Sequence, residues 1–443
     1  MKIRTVTTCI AALSLAACGG DSDGGGGGSG GGTNARLISG EITADTTWTA
    51  GEPYILTNLT YVTSGVTLTI EAGVTVQGDT GSALVVTRGG KLITQGTRDE
   101  PVVFTSSSDV GNRRSGDWGG VVMLGAARIN QSTGTNQIEG VSATDNRGEY
   151  GGTDDSHDCG QLRYTRIEFA GFELSTDNEL NGLTLGGCGS ATTLDYVQVH
   201  RGKDDGIELF GGQPNLKHIV LTAIEDDSLD WDQGFSGKIQ WLFAQQDPAD
   251  ADNGFEADSD KNSPDAEPRS NPTIYNATLI GANASAGTQN GLILRRGTWA
   301  TLRNFIVQGF PRVGVDVRDA ASAAGAMQSP PALTIDNSIF FENGVNGTGH
   351  CDLDADKDDD GMFDEDAFFT AAERNNRMSM DPMLPAPYDL AAPNAVPPMG
   401  SPAASEGATP PSDGFFDTSA TYVGAFEPGA ASWLDGWTAF PQN

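Results

Sequence analysis

The sequence predicts an all-β fold wound as a stacked parallel β-helix. Three observations predict it. A short apolar strand followed by an acidic box occurs three times between residues 194 and 258. Strand starts at Leu194, Leu216 and Ile239 are 22 and 23 residues apart, and box starts at Asp204, Asp226 and Asp252 are 22 and 26 apart. The chain holds 59 glycines, and no segment keeps a 3.6-residue apolar period. Strands too short to fold alone, repeated every twenty-odd residues, bury their apolar faces by stacking. A propeller blade needs four strands over roughly 40 residues, so this repeat is too short for one.

The N-terminus reads as an export signal. Lys2 and Arg4 precede an apolar run from Val6 to Leu15, too short for the roughly 20 residues of a bilayer span. Leu15-Ala-Ala-Cys18 has the form of a lipobox, which makes residues 1–17 a lipoprotein signal peptide and Cys18 the lipidated N-terminus. Gly19 and Gly20 follow, with no aspartate directly after the cysteine, which points to the outer membrane, facing periplasm or cell surface. Residues 18–34, nearly all Gly, Ser and Asp after Cys18, are expected to be a flexible tether.

The formal charge is −33. Loss of residues 1–17 leaves 24 basic against 59 acidic residues, or −35. Phosphate binding needs clustered Lys and Arg, so nucleic acid is excluded as a partner and divalent cations are favoured. In the oxidising compartment that export implies, Cys159 and Cys188 are expected to pair, with Cys351 left over.

Residues 35–345 form the expected β-helix. Val62, Val66, Leu68, Ile70, Val74 and Val76 alternate with polar or small residues, as half-buried strands do. The strand motif recurs at Leu162, Ile274, Leu302 and Ile335, with longer spacings that mark loops inserted on one side of the coil. Residues 346–381 are an Asp-rich insert. Residues 382–443 are a Pro- and Ala-rich wrap with a terminal cap, in which Trp433, Trp437 and Phe440 are expected to close the last coil.

The run Gly206-Ile-Glu-Leu-Phe-Gly-Gly212, with Leu216-Lys-His-Ile-Val, Asp226-Asp-Ser-Leu-Asp-Trp-Asp232 and Gly237-Lys-Ile-Gln240, resembles a bacterial family of exported right-handed parallel β-helix proteins. Many of these are surface lipoproteins of uncharacterised function. Leu68-Thr-Ile-Glu-Ala-Gly73, Trp118-Gly-Gly and Tyr422-Val-Gly-Ala-Phe426 through Trp437 also resemble it, so the likeness covers about residues 40 to 440. It implies a right-handed coil and carries over no catalytic residue.

The boxes share a core of Asp or Asn, then Gly or Ser, then an apolar residue. That suits a coil corner, where Asp and Asn cap the turn and Gly permits φ > 0. The acids exceed what a corner needs. Stacked carboxylates about 4.8 Å apart repel by roughly 3–4 kcal/mol at a dielectric near 20. Asp205, Glu208, Asp227, Asp230 and Glu256 are therefore candidate ligands, and oxygen-only ligands on a rigid scaffold favour Ca²⁺. A second candidate is Asp356-x-Asp358-x-Asp360-Gly361 with Asp364, the start of an EF-hand-type calcium loop. Its twelfth position is Ala367, which offers no side-chain oxygen. Trp231 and Trp241 are candidates for sugar stacking or for core positions; His200 and His218 read as structural.

Together these features predict a lipid-anchored, calcium-binding envelope protein that presents a side face to a glycan or a protein. The rival is a polysaccharide lyase or hydrolase that uses the same carboxylates. A third reading is an accessory lipoprotein to an outer-membrane transporter.

Overall fold

The computed structural model describes residues 35–175, 178–284, 287–351 and 360–443. The signal peptide, Cys18 and the tether lie outside these residues, as do Asp356 and Asp358. Among the described residues no helix is long and apolar enough to cross a membrane.

The chain winds into a right-handed parallel β-helix whose strands form one continuous 24-stranded sheet. One coil shows the plan. Leu183–Gly186 forms one side, and Thr193–His200 forms the other two. The longer strand serves two sides because it bends. Thr193–Asp195 pair with Asn215–Lys217 and Val197–His200 with Ile219–Thr222, while Tyr196 is skipped. Tyr196, His218 and Trp241 sit at this bend in three successive coils with φ of 60°, 49° and 63°. A left-handed conformation costs a non-glycine residue about 1–2 kcal/mol. Ring stacking offsets part of that: Tyr164–Tyr196, Tyr196–His218 and His218–Trp241 centroids are 4.3, 4.0 and 4.6 Å apart. Further along, the bend is made by Asn276, Asn304 and Asn337, whose short polar side chains tolerate this region.

Each acidic box proves to be two things. Its first half is a corner, and its apolar residue opens a strand of its own: Ile207–Phe210, Leu229–Asp232 and Phe255–Ala257. Leu183, Ile207, Leu229, Phe255, Leu292 and Val315 are partners in register and fill the interior. Cys159 and Cys188 form the expected disulfide across 5.8 Å between Cα atoms, fully inside the core. Cys351 is buried and bridges Val315 of the preceding coil through the backbone.

The C-terminal region corrects one expectation. Trp433, Trp437 and Phe440 do not cap the last coil; they lie along the flank. Trp437 meets Tyr164 and Tyr196 edge-on at 5.9 and 5.7 Å, and Trp433 meets His218 at 5.3 Å. The reason is the row of stacked rings and outward amides that the bends create, which an extended tail can follow. Core extension past the last coil falls to the Asp-rich insert. Its helix α1 (Glu365–Phe369) carries Phe369 into the core, with Phe368 between it and Phe363. Trp231 is a core residue whose Nε1 donates to Thr298 Oγ1 at 3.0 Å, and Trp241 donates to the Tyr422 hydroxyl at 2.9 Å. His200 is enclosed between Thr222 Oγ1 and Pro441 O, both at 2.8 Å, and burial pushes it down to about 4.

Candidate functional site

The corner residues build the site. Asp205 Oδ1 accepts the backbone N–H of Asp227 at 3.1 Å, and Asp227 Oδ1 accepts that of Asn253 at 2.7 Å. Asn253 Oδ1 continues the row to Asn290 N–H at 3.2 Å. Asp205, Asp227 and Asn253 therefore line up along one edge, each side chain capping the coil after it. The glycines of this edge are needed for closeness rather than for positive φ. A Cβ on Gly206 would lie 2.5 Å from Ser228 O, and one on Gly254 2.4 Å from Gly291 O. Neither glycine has a left-handed φ, which corrects the turn-based expectation.

Three residues past each corner aspartate, the outward row of the sheet carries the second set of acids. Thr184, Glu208, Asp230 and Glu256 are partners in register on successive coils. The two rows converge. Asp205, Glu208 and Asp230 bring carboxylate oxygens within 4.8 Å of one another, and so do Asp227, Asp230 and Glu256. Asp204, Asp205 and Asp226 form a third such group, and Asp226, Asp227 and Asp252 a fourth. All five ladder carboxylates read from the sequence thus meet in one place. Asp204, Asp226 and Asp252 belong there too; their adjacency to the corner aspartates was visible, but which way each pointed was not.

The inner acids are nearly dry. Asp205, Glu208, Asp227 and Asp230 are each less than a tenth exposed. Burial, then the neighbouring carboxylates, pushes all four well above the ordinary carboxylate range. The outer acids are half-buried; burial and the charges around them push Asp204 up to about 7 and Asp226 up to about 6. Beyond the backbone N–H groups that Asp205 and Asp227 accept, the side-chain donors among the described residues reach only the margins of the inner cluster. Asn181 Nδ2 donates to Glu208 Oε2 at 2.6 Å, and Arg295 pairs with Glu256 and, at 2.9 Å, with Asp258. Asp230 Oδ1 is buried and meets no hydrogen-bond donor. An all-oxygen, anionic, rigid arrangement of this kind suits hard divalent cations.

Beside the ladder lies a cavity of about 350 Å³ lined by Asp252, Glu256, Thr288, Arg295, Arg312 and Arg318. It sets guanidinium groups next to carboxylates. Another hollow, about 650 Å³, is bounded by Pro385, Pro398, Gly429 and Phe440 in the tail, and no ladder carboxylate lines it.

The second sequence candidate is only half described. Asp360 is buried and accepts the N–H of Met362 at 2.7 Å. Asp364 caps α1, accepting the N–H of Ala367 at 2.8 Å. Neither belongs to a carboxylate cluster found among the described residues.

The family model of the pectate-lyase-like β-helix domain matches residues 40–377, well over half of the 443-residue chain. The chain belongs to that family. No curated protein and no solved structure matches it.

Proposed function

We propose that this pectate-lyase-like β-helix protein binds calcium on its carboxylate ladder and uses that face to hold an acidic glycan at the cell envelope. One observation carries the reading: buried carboxylates are stacked coil on coil, and among the described residues an ion pair with Arg295 lies at the Glu256 end. Two carboxylates at this spacing repel by roughly 3–4 kcal/mol at a dielectric near 20, and a bound cation turns that repulsion into attraction. The cavity beside Glu256 holds Arg295, Arg312 and Arg318, each paired with a carboxylate of the chain, and a ligand carboxylate would join that network. Anchoring rests on the lipobox at Cys18, which would place the ladder outside the cytoplasm, where calcium is available.

Calorimetric titration of the metal-stripped protein with Ca²⁺, paired with melting curves, tests the cation. Heat of binding and a raised midpoint are expected; their absence would remove the reading. An acidic-glycan array with and without chelator tests the ligand, and capture only in the presence of Ca²⁺ is expected.

The partly exposed Asp204, pushed up to about 7, favours a second reading as a polysaccharide-active enzyme, because such a group can exchange a proton near neutrality. Reducing-end and unsaturated-uronate assays, with Asp205→Asn as control, separate it from the binder.

A further inference from the structure

We propose that the inner ladder is a two-cation site in which Asp230 is a ligand to both ions. The inference rests on the cation reading above and adds the number of ions and the residue they share.

The argument is translational. The group Asp205, Glu208 and Asp230 consists of a corner acid, the strand acid three residues on, and the strand acid of the next coil. The group Asp227, Asp230 and Glu256 is the same arrangement moved up one coil. Asp230 is the upper strand acid of the first and the lower one of the second. Two ions held this way would sit about one coil apart, roughly 4.8 Å.

The coils on either side show what fills the position when the chain supplies a donor itself. One coil below, the corner residue is Asn181 and the strand residue Thr184. There Asn181 Nδ2 donates to Thr184 Oγ1 at 3.2 Å and to Glu208 Oε2 at 2.6 Å, so an amide stands where a cation would. One coil above, the strand partner of Glu256 is Ile293, and the Arg295 guanidinium closes the row on Glu256. Between these two side-chain donors lie the two central positions, where Asp205 and Asp227 each accept one backbone N–H and the carboxylates otherwise face one another. The unmet group falls at their junction: Asp230 is 9 % exposed, and its Oδ1 has no hydrogen-bond partner. Asn181 Oδ1, on the side chain bonded to Glu208, is likewise buried without a donor. Buried polar oxygens left unsatisfied are costly, and a shared ion satisfies both carboxylate rows at once.

The experiment counts ions on the intact mature chain, stripped with chelator and reloaded with Ca²⁺, by native mass spectrometry and calorimetry. Asp230→Asn is expected to lose two ions relative to the parent, and Glu208→Gln and Glu256→Gln one each. Metal-free melting curves of all three variants report that the fold is kept. Loss of one ion or none in Asp230→Asn overturns the sharing and leaves the cation reading standing. A parent chain that takes up no Ca²⁺ overturns both.

Discussion

Two ladders of polar side chains run up the same coils, and they end differently. On the tail flank, Gln198, Gln240, Asn276 and Asn304 point out of four of five consecutive coils. Each meets backbone of the C-terminal region: Gln198 exchanges bonds with Ala439, Gln240 with Asp417 and Asn304 with Ala408, and Asn276 donates to Ala420 O and Tyr422 O. On the acidic side, Asp205 and Asp227 stack in one row and Glu208 and Asp230 in the next, buried much as the amides are; beyond the backbone N–H groups of Asp227 and Asn253, the side-chain donors among the described residues reach only the margins. Both ladders follow from one winding geometry. The tail completes the first. On the proposed reading a cation completes the second, because buried polar groups are rarely left without partners.

The strongest way to break this contrast is to remove the tail's anchor. Trp437 is fully buried, so Trp437→Ala should cost about 3–5 kcal/mol and lower the melting midpoint, while calcium uptake by the folded fraction stays unchanged. Equal loss of calcium binding would mean that the two ladders are not independent.

A single amide of the flank is the next test. Asn304→Leu should cost about 1–3 kcal/mol, because it strands the N–H and the carbonyl of Ala408 against an apolar group. Asp230→Asn should act in the opposite sense on the acidic side. Without calcium it should raise the melting midpoint, most at pH 8, since it relieves the cost of ionising a buried carboxyl among like charges. With calcium the variant should gain less than the parent, and a midpoint that rises equally in both would count against the ladder as the binding site.

The pH response sharpens the same comparison. Asp204 stands at about 7, and Asp226 and Asp232 at about 6, all above their unfolded values. Between pH 4 and 7 the folded chain therefore binds more protons than the unfolded chain, and metal-free stability falls as pH rises through that window. His200, at about 4, works in the opposite direction between pH 4 and 6.5, and His157 and His350, also lowered by burial, act with it against the larger set of raised carboxylates. Metal-free protein should melt higher at pH 5 than at pH 8, and Ca²⁺ should narrow the gap by raising the pH 8 value. A flat profile without metal would mean that the ladder carboxylates ionise without cost.

Much of this was legible in the residues. The 22-residue spacing of Leu194 and Leu216, repeated at Asp204 and Asp226, determined that strands would stack and that acids would fall above acids. Period alone does this, because equal lengths of chain between equivalent residues return them to the same side of the coil. The disulfide partners and the core role of Ile207, Leu229 and Phe255 were likewise open to reading. What period cannot state is direction. Whether Glu208 and Asp205 converge or splay depends on the corner angle, and that angle comes from the close approach of Gly206 to the next coil. The path of the tail was hidden for a related reason. Trp433 and Trp437 are apolar wherever they go, and only the stacked rings of Tyr164, Tyr196 and His218, assembled from three coils, decided that they lie along the flank rather than over the end.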